Sequence, residues 1–152
     1  MKYYNLPLDC FGWANQDIGI FGGWRHPTLH PPGKLVCNFG IFDTKSKLET
    51  GIDLQVGKVR MLIKLPTEDG GECEIESLIE LEINKELRKN GYGRRAVAAI
   101  HAAAKQDVKI VDIKKSKVPF WKKVGVEDIQ TERSHIHGWL RKEPELTPAP
   151  AI

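Results

Sequence analysis

The chain has 152 residues, 41% hydrophobic and 28% charged, with a formal net charge of +3. That is length and apolar content for one domain with its own core, and the proportions exclude a disordered or membrane-embedded chain. So small a basic excess permits an anionic ligand but does not by itself argue for nucleic acid, which would favour a larger, patterned excess.

The start, "MKYYNLPLDCFGW", lacks the apolar stretch of a secretion signal, and no apolar run reaches membrane-spanning length. Residues 1–33 are rich in Gly, Pro and aromatics and read as short strands and ordered loops; His26 and His30 lie among the prolines as loop-packing or lid residues. Cys10, Cys37 and Cys73 are odd in number and contain no Cys-x-x-Cys pair. They read as reduced thiols of a cytoplasmic protein, not as a disulfide framework or zinc site. Strand signals take over at "KLVCNFGIF" (34–42) and "IDLQVGKVRMLIKL" (52–65), followed by the turn "EDGG" (68–71).

The run "ECEIESLIELEIN" (72–84) alternates almost perfectly. A regular strand would put Cys73, Ile75, Ser77, Ile79, Leu81 and Ile83 on one face. Glu72, Glu74, Glu76, Leu78, Glu80 and Glu82 would occupy the other. "GRRAVAAIHAAAKQ" (93–106) switches to helix, with Val97, Ile100 and Ala104 as a narrow apolar stripe. "VKIVDI" (108–113) is a short apolar strand, "VPFWKKV" (118–124) one or two helical turns, and "VEDIQTE" and "HIHGWLR" two further strands. The order predicts a mixed α/β (α+β) sheet with a parallel strand–helix–strand crossover over 74–113, in a single domain over 1–143. The Pro-rich tail 144–152 is expected to be disordered.

Between strand and helix lies "RKNGYG" (88–93). Glycine there allows positive φ and lets a ligand approach the backbone, and a helix N-terminus carries free N–H groups suited to phosphate. Arg88, Lys89, Arg94 and Arg95 add positive charge. A plain helix cap with solvated arginines fits the same spacing. The run lacks the Gly-Lys-Ser/Thr of a Walker loop, and Ala96 breaks the Gly-x-Gly-x-x-Gly pattern.

"RKNGYG" resembles the Arg/Gln-x-x-Gly-x-Gly/Ala signature of the GNAT N-acetyltransferase superfamily. "LEINKEL" (81–87) is similar to the end of that family's fourth strand. "FWKKVGVE" (120–127) is similar to its later Phe-Tyr-x-Lys-x-Gly-Phe segment. The resemblance covers about 75–140 and implies acetyl-CoA as cosubstrate, with no metal, and a primary amine as acceptor: a small molecule, a polyamine or a protein lysine or N-terminus. It implies that Leu81, Glu82 and Ile83 hold the pantetheine arm. Arg88, Lys89, Asn90, Gly91, Tyr92, Gly93 and Arg94 would hold the pyrophosphate, and Ser116, Phe120 and Lys123 would complete the cofactor site. Ser77 aligns with one base position of the family, while Glu76, Glu80 and Glu82 face away unless a bulge re-aims them. Trp121 stands where the family has the tyrosine that protonates the leaving thiolate, and indole cannot deliver a proton at neutral pH. Trp121 then reads as a packing residue, and either the thiolate leaves with solvent help, another group such as Tyr92 or Ser116 serves, or the site is not catalytic. The alternative is a non-catalytic acyl-CoA-binding or protein-interaction module on the same fold. Family members also form homodimers.

Outside the resemblance, His135 and His137 make a weak metal pair without a third ligand. Lys109, Lys114, Lys115, Lys117, Lys122 and Lys123 read as a solvated face with one or two cofactor contacts.

Overall fold

The computed structural model of the chain describes residues 1–6, 10–29 and 33–142, with the backbone alone at 24–29. His30 and the tail 144–152 therefore lie outside the described residues, as does the side chain of His26.

Four antiparallel strands come first: β1 (Lys2–Leu6), β2 (Cys10–Ala14), β3 (Ile18–Leu29) and β4 (Lys34–Asp43). Helix α1 (Thr44–Thr50) leads to β5 (Gln55–Lys64) and β6 (Glu74–Ile83). Next come α2 (Tyr92–Ala103), β7 (Val108–Ile110), α3 (Val118–Lys123), β8 (Glu127–Glu132) and β9 (His135–Leu140). Among the described residues, nine strands join one sheet in the order β1-β2-β3-β4-β5-β6-β7-β9-β8, and only β6 and β7 pair in parallel, across the α2 connection. This is the mixed α/β arrangement with a parallel strand–helix–strand crossover that the sequence implies.

In the region 1–33, expected as short strands and loops, the described residues form the ladders of a meander. Its apolar face carries Phe11, Trp13, Ile18 and Ile20, all buried, and meets Phe39 and Ile41 of β4. The Phe11 and Phe39 rings lie edge to face at 5.3 Å, an arrangement worth about 0.5–1.5 kcal/mol beyond the area it buries. Across the core, the Tyr3 hydroxyl reaches Cys73 at the start of β6. Burial, with help from that thiol, pushes Tyr3 up to about 12. Burial likewise pushes Cys37 up to about 12, so its thiol is unreactive at neutral pH. None of the three cysteines is in a disulfide.

Helix α1 was not expected, because it buries no residue and so shows no apolar stripe. Its signals are its caps. The Asp43 side chain accepts from the Ser46 N–H at 2.8 Å, and Gly51 closes the helix at φ 74°.

Strand β6 departs from the expected alternation in a way that matters for function. Residues opposite one another in a ladder share a face. On β5, Val59, Met61 and Ile63 are buried, while Lys58, Arg60 and Lys64 are exposed. Their partners on β6 are Leu81, Leu78 and Ile75 on the core side, and Glu82, Glu80 and Glu74 on the outer side. The register slips twice, at Ile79 and at Glu76. Each slip inserts one residue and reverses the facing of the strand beyond it. Leu78 therefore belongs to the core, at 1% exposure, and not to the acidic face. Ser77 opposes Leu62 on the outer side, together with Glu80 and Glu82 and not across from them.

Replacing Phe39 with Ala should cost about 3–5 kcal/mol, since the ring is buried against Phe11 and Trp13 and its loss leaves a cavity. Denaturant unfolding followed by tryptophan fluorescence measures it; a loss below about 1 kcal/mol would mean that the meander is not part of the common core.

Candidate functional site

The site is organised by a mismatch in strand length. β6 has ten residues and β7 three. Their ladder holds two pairs, Ser77 with Lys109 and Leu78 with Ile110, and the Val111 N–H extends it once more to the Leu78 carbonyl at 3.0 Å. Beyond Leu78 the β7 side of β6 has no ladder partner, although its other side stays paired to β5 through Ile83. The segment expected to hold a pantetheine arm, Leu81 to Ile83, lies in this open stretch. Leu81 and Ile83 are half-buried, and Glu82 is exposed.

At the end of that stretch the chain makes a 3-10 turn at Lys85–Leu87 and reaches the glycine loop. Arg88 Nε donates to the Ile83 carbonyl at 3.2 Å, and Asn90 Nδ2 donates to the Leu87 carbonyl at 3.0 Å. Both side chains thus shape the loop itself. Lys89 has φ 72° and Gly91 φ 76°, two left-handed residues one apart that turn the chain into α2. The Arg95 N–H closes the first helical turn on the Gly91 carbonyl at 3.0 Å. The amides of Tyr92, Gly93 and Arg94 consequently lack helical acceptors and point out of the N-terminus.

The two glycines serve different ends. A Cβ on Gly91 would meet nothing nearer than Arg94 Nη2, at 3.9 Å, so its surroundings are open and only its backbone demands glycine. A Cβ on Gly93 would come to 3.3 Å of the Phe120 ring. Gly93 therefore lets α2 pack against α3, and Phe120 sits beside the loop, where the sequence expected a cofactor contact. Ser116, in the 3-10 turn Lys115–Lys117, and Lys123, in the last turn of α3, are both exposed.

Tyr92 is not a free proton donor. Its hydroxyl donates to Asp43 Oδ2 at 2.7 Å, and the Arg95 guanidinium lies 4.4 Å from its ring centroid. The hydrogen bond to Asp43, with burial, raises the Tyr92 hydroxyl above its ordinary 10.0. Burial alone would raise the Asp43 carboxyl. The Ser46 N–H, the Tyr92 hydroxyl and the charge of Arg95 outweigh it and hold the group below its ordinary 3.8. Asp43 thus caps α1 and anchors the first residue of α2. Nothing in the sequence pointed to it, because it lies 49 positions from Tyr92.

Among the expected catalytic groups, Trp121 is buried at 6% exposure and packs edge to face on Phe120 at 5.1 Å, a packing residue as its apolar bulk implied. Ser77 is nearly buried, at 9%. Glu80 and Glu82 are exposed beside Arg60 and Lys58, at 3.9 and 3.7 Å, pairs too loose and too wet to contribute much stability. His135 and His137 stack at 6.3 Å and share Asp112. His135 Nδ1 lies 2.6 Å from Asp112 Oδ1, and the Asp112 N–H donates to His137 Nδ1. Among the described residues no group of three or more His, Cys, Asp or Glu is placed to hold a metal ion. Nor is any helix among them long and apolar enough to cross a membrane.

No family model matches the chain, and no curated protein matches it. Solved structures with a similar course of chain are those of GNAT-fold toxins. One is a mutant form of the toxin AtaT bound to the C-terminus of the antitoxin AtaR and acetyl-CoA; it is 12% identical, with a TM-score of 0.46 over 70% of this chain and 68% of that one. A mutant of KacT is 12% identical, with a TM-score of 0.47 over 70% and 71%. A KacTA–DNA complex is 10% identical, with a TM-score of 0.48 over 74% and 70%.

Asp43 contributes to the acid limb of stability. A carboxyl held low in the fold contributes in full above its ordinary 3.8, and the contribution is lost as the pH falls below that through the lowered native value. Asp43→Asn should therefore lower stability at neutral pH and flatten the loss below about pH 4. Urea titrations at pH 7 and pH 3 measure it; equal losses from the variant at both values would mean that the carboxylate charge is irrelevant.

Proposed function

We propose that this chain binds acetyl-CoA and transfers its acetyl group to a primary amine. The observation that supports the reading most is the continuity of an open backbone edge with an anion-ready helix start: β6 is unpartnered on its β7 side after Leu78, and the same segment leads into Gly91 and the free amides of α2. The residues present fit the cofactor. The space beside Gly91 is open, and Arg88, Lys89, Arg94 and Arg95 ring the loop. A pyrophosphate there would receive backbone N–H groups and charge-assisted bonds worth about 1.5–3 kcal/mol each.

Bound acetyl-CoA supplies an activated thioester, whose acyl carbon an unprotonated amine attacks. The chain's part is then to align the amine, donate to the oxyanion and manage two protons. In this reading the unpaired amides of β6 just past Leu78 orient the arm and offer the N–H that stabilises the oxyanion. Ser77, nearly buried where the ladder ends, would relay the amine proton through water to Glu80 or Glu82, which stand on the same outer face. The thiolate would take its proton from solvent. Trp121 is buried and has no acidic proton, the Tyr92 hydroxyl is committed to Asp43, and Ser116 is exposed to water.

A second reading, a non-catalytic acyl-CoA-binding or protein-interaction module, draws on the same absence of a side-chain acid at Trp121. Calorimetry with acetyl-CoA and CoA, beside a free-thiol assay on a panel of amines, separates the two. The transferase reading expects heat for both nucleotides and thiol release with at least one amine. Heat without release on any amine would favour the module, and no heat would remove both. Gly91→Ala should weaken binding of CoA by about tenfold or more, since a left-handed Ala costs roughly 1–2 kcal/mol and reshapes the loop. Gly93→Val would be less telling, because its side chain would press on Phe120 whether or not a nucleotide binds.

A further inference from the structure

The gap between β6 and β7 has a cation at its root. Lys109 is the ladder partner of Ser77, one pair below Leu78 and Ile110, after which the strands part. Val108 and Ile110 on either side of it are buried in the core, so Lys109 stands half-buried on the outer face, beside Ser77. Neighbouring cations of that face have carboxylates: Lys58 has Glu82 at 3.7 Å, Arg60 has Glu80 at 3.9 Å, and Lys34 has Glu76 at 2.6 Å. Asp107 and Asp128 are both drawn to Arg141, at 3.1 and 2.6 Å. Glu127 stands beyond Trp139 in the same cross-strand row. Lys109 Nζ lies over the Trp139 ring, 6.0 Å from its centroid, and has no carboxylate partner among the described residues. A half-buried ammonium without a counter-charge gains from an anion that reaches it.

A concavity of about 1190 Å³ adjoins this ammonium, and Leu62, Ser77, Lys109 and Trp139 line it as one cross-strand row. Four lysines line it, Lys34, Lys105, Lys109 and Lys142, against the three carboxylates of Glu72, Glu76 and Asp107. Lys105 pairs with Glu72 at 3.3 Å, and the Lys142 ammonium donates to the His101 carbonyl at 2.8 Å. The balance of charge therefore suits an anion, and Lys109 is the cation left to hold it.

An acetyl group has two carbons and no charge, so it engages neither the concavity nor the ammonium. An acyl chain that ends in a carboxylate would engage both, with its methylenes along Leu62 and the Trp139 ring and its charge on Lys109. We propose that the chain accepts such a donor, an acyl-CoA of the succinyl class, and that Lys109 selects its charged end. The proposal rests on the transferase reading and widens its donor. In the transfer, the amine nitrogen bonds the acyl carbonyl carbon and the carbon–sulfur bond breaks. The proton shed by the amine balances the released thiolate.

Two stable thioethers separate charge from length: S-(3-carboxypropyl)-CoA and the uncharged S-butyl-CoA. Calorimetry reads both affinities without turnover. Wild type should bind the carboxypropyl thioether about tenfold or more tightly, the worth of one charge-assisted contact. Lys109→Met should bring that ratio to about one, while Lys109→Arg should keep it above about threefold. Circular dichroism checks that both variants fold. With an amine that serves acetyl-CoA, succinyl-CoA should release thiol faster than it does without amine. A wild-type ratio at or below one overturns the proposal, as does a Lys109→Met protein that keeps the wild-type ratio, or succinyl-CoA that gives no amine-dependent thiol. CoA titrated into the same samples keeps the two readings apart. CoA bound with no preference for the carboxylate sinks the donor assignment alone, and no heat from CoA or either thioether sinks both.

Discussion

The structure depends on β7 stopping short. A sheet strand normally has neighbours along its whole length, and an unpaired backbone edge is a liability that folds tend to cover. Here the edge lies in the middle of a nine-stranded sheet, flanked by β7 and β9 and backed by a ladder to β5 that runs through Ile83. It cannot be shielded by a sheet neighbour without losing the gap. The core compensates elsewhere: the long meander of β1 to β5 buries Phe11, Trp13, Phe39 and Met61 and makes the half of the sheet before the gap rigid. Rigidity on one side and an opening on the other are the same design.

Much of this was legible. The switch from strand period to helix period after "RKNGYG", the short apolar β7, and the two-turn α3 all fall within a few residues of where the sequence put them, because alanine runs, glycines and Pro119 act locally. The facing of β6 was not legible. Its sequence alternates as though regular, and the slips at Glu76 and Ile79 arise from how β5 pairs with it, a property of two strands that one strand cannot encode. Helix α1 escaped for the opposite reason. Its caps are local, but a helix that buries no residue has no hydrophobic period to read. The Asp43–Tyr92 bond is long-range and polar, and neither partner stands out from its neighbours.

The chemistry shows a division of labour between the two ends of β6. Positive charge gathers at the loop end in Arg88, Lys89, Arg94 and Arg95. At the other end, Glu76 pairs with Lys34 at 2.6 Å. Between them stands Ser77, on the same side as the exposed glutamates only because the slip at Ile79 puts it there. A strand without bulges would set Ser77 among the core residues and leave the outer face with no hydroxyl beside its carboxylates.

Asp43 joins two pieces of chain that have no other reason to move together. It closes the first turn of α1 and holds the first residue of α2 through Tyr92. Helix α1 buries no residue and is otherwise held at its first residue, Thr44, whose N–H donates to the Asp17 carbonyl and whose hydroxyl donates to the Asn15 carbonyl. The first turn of α1 and the first residue of α2 therefore draw on one carboxylate, so that a change at either cap is felt at the other.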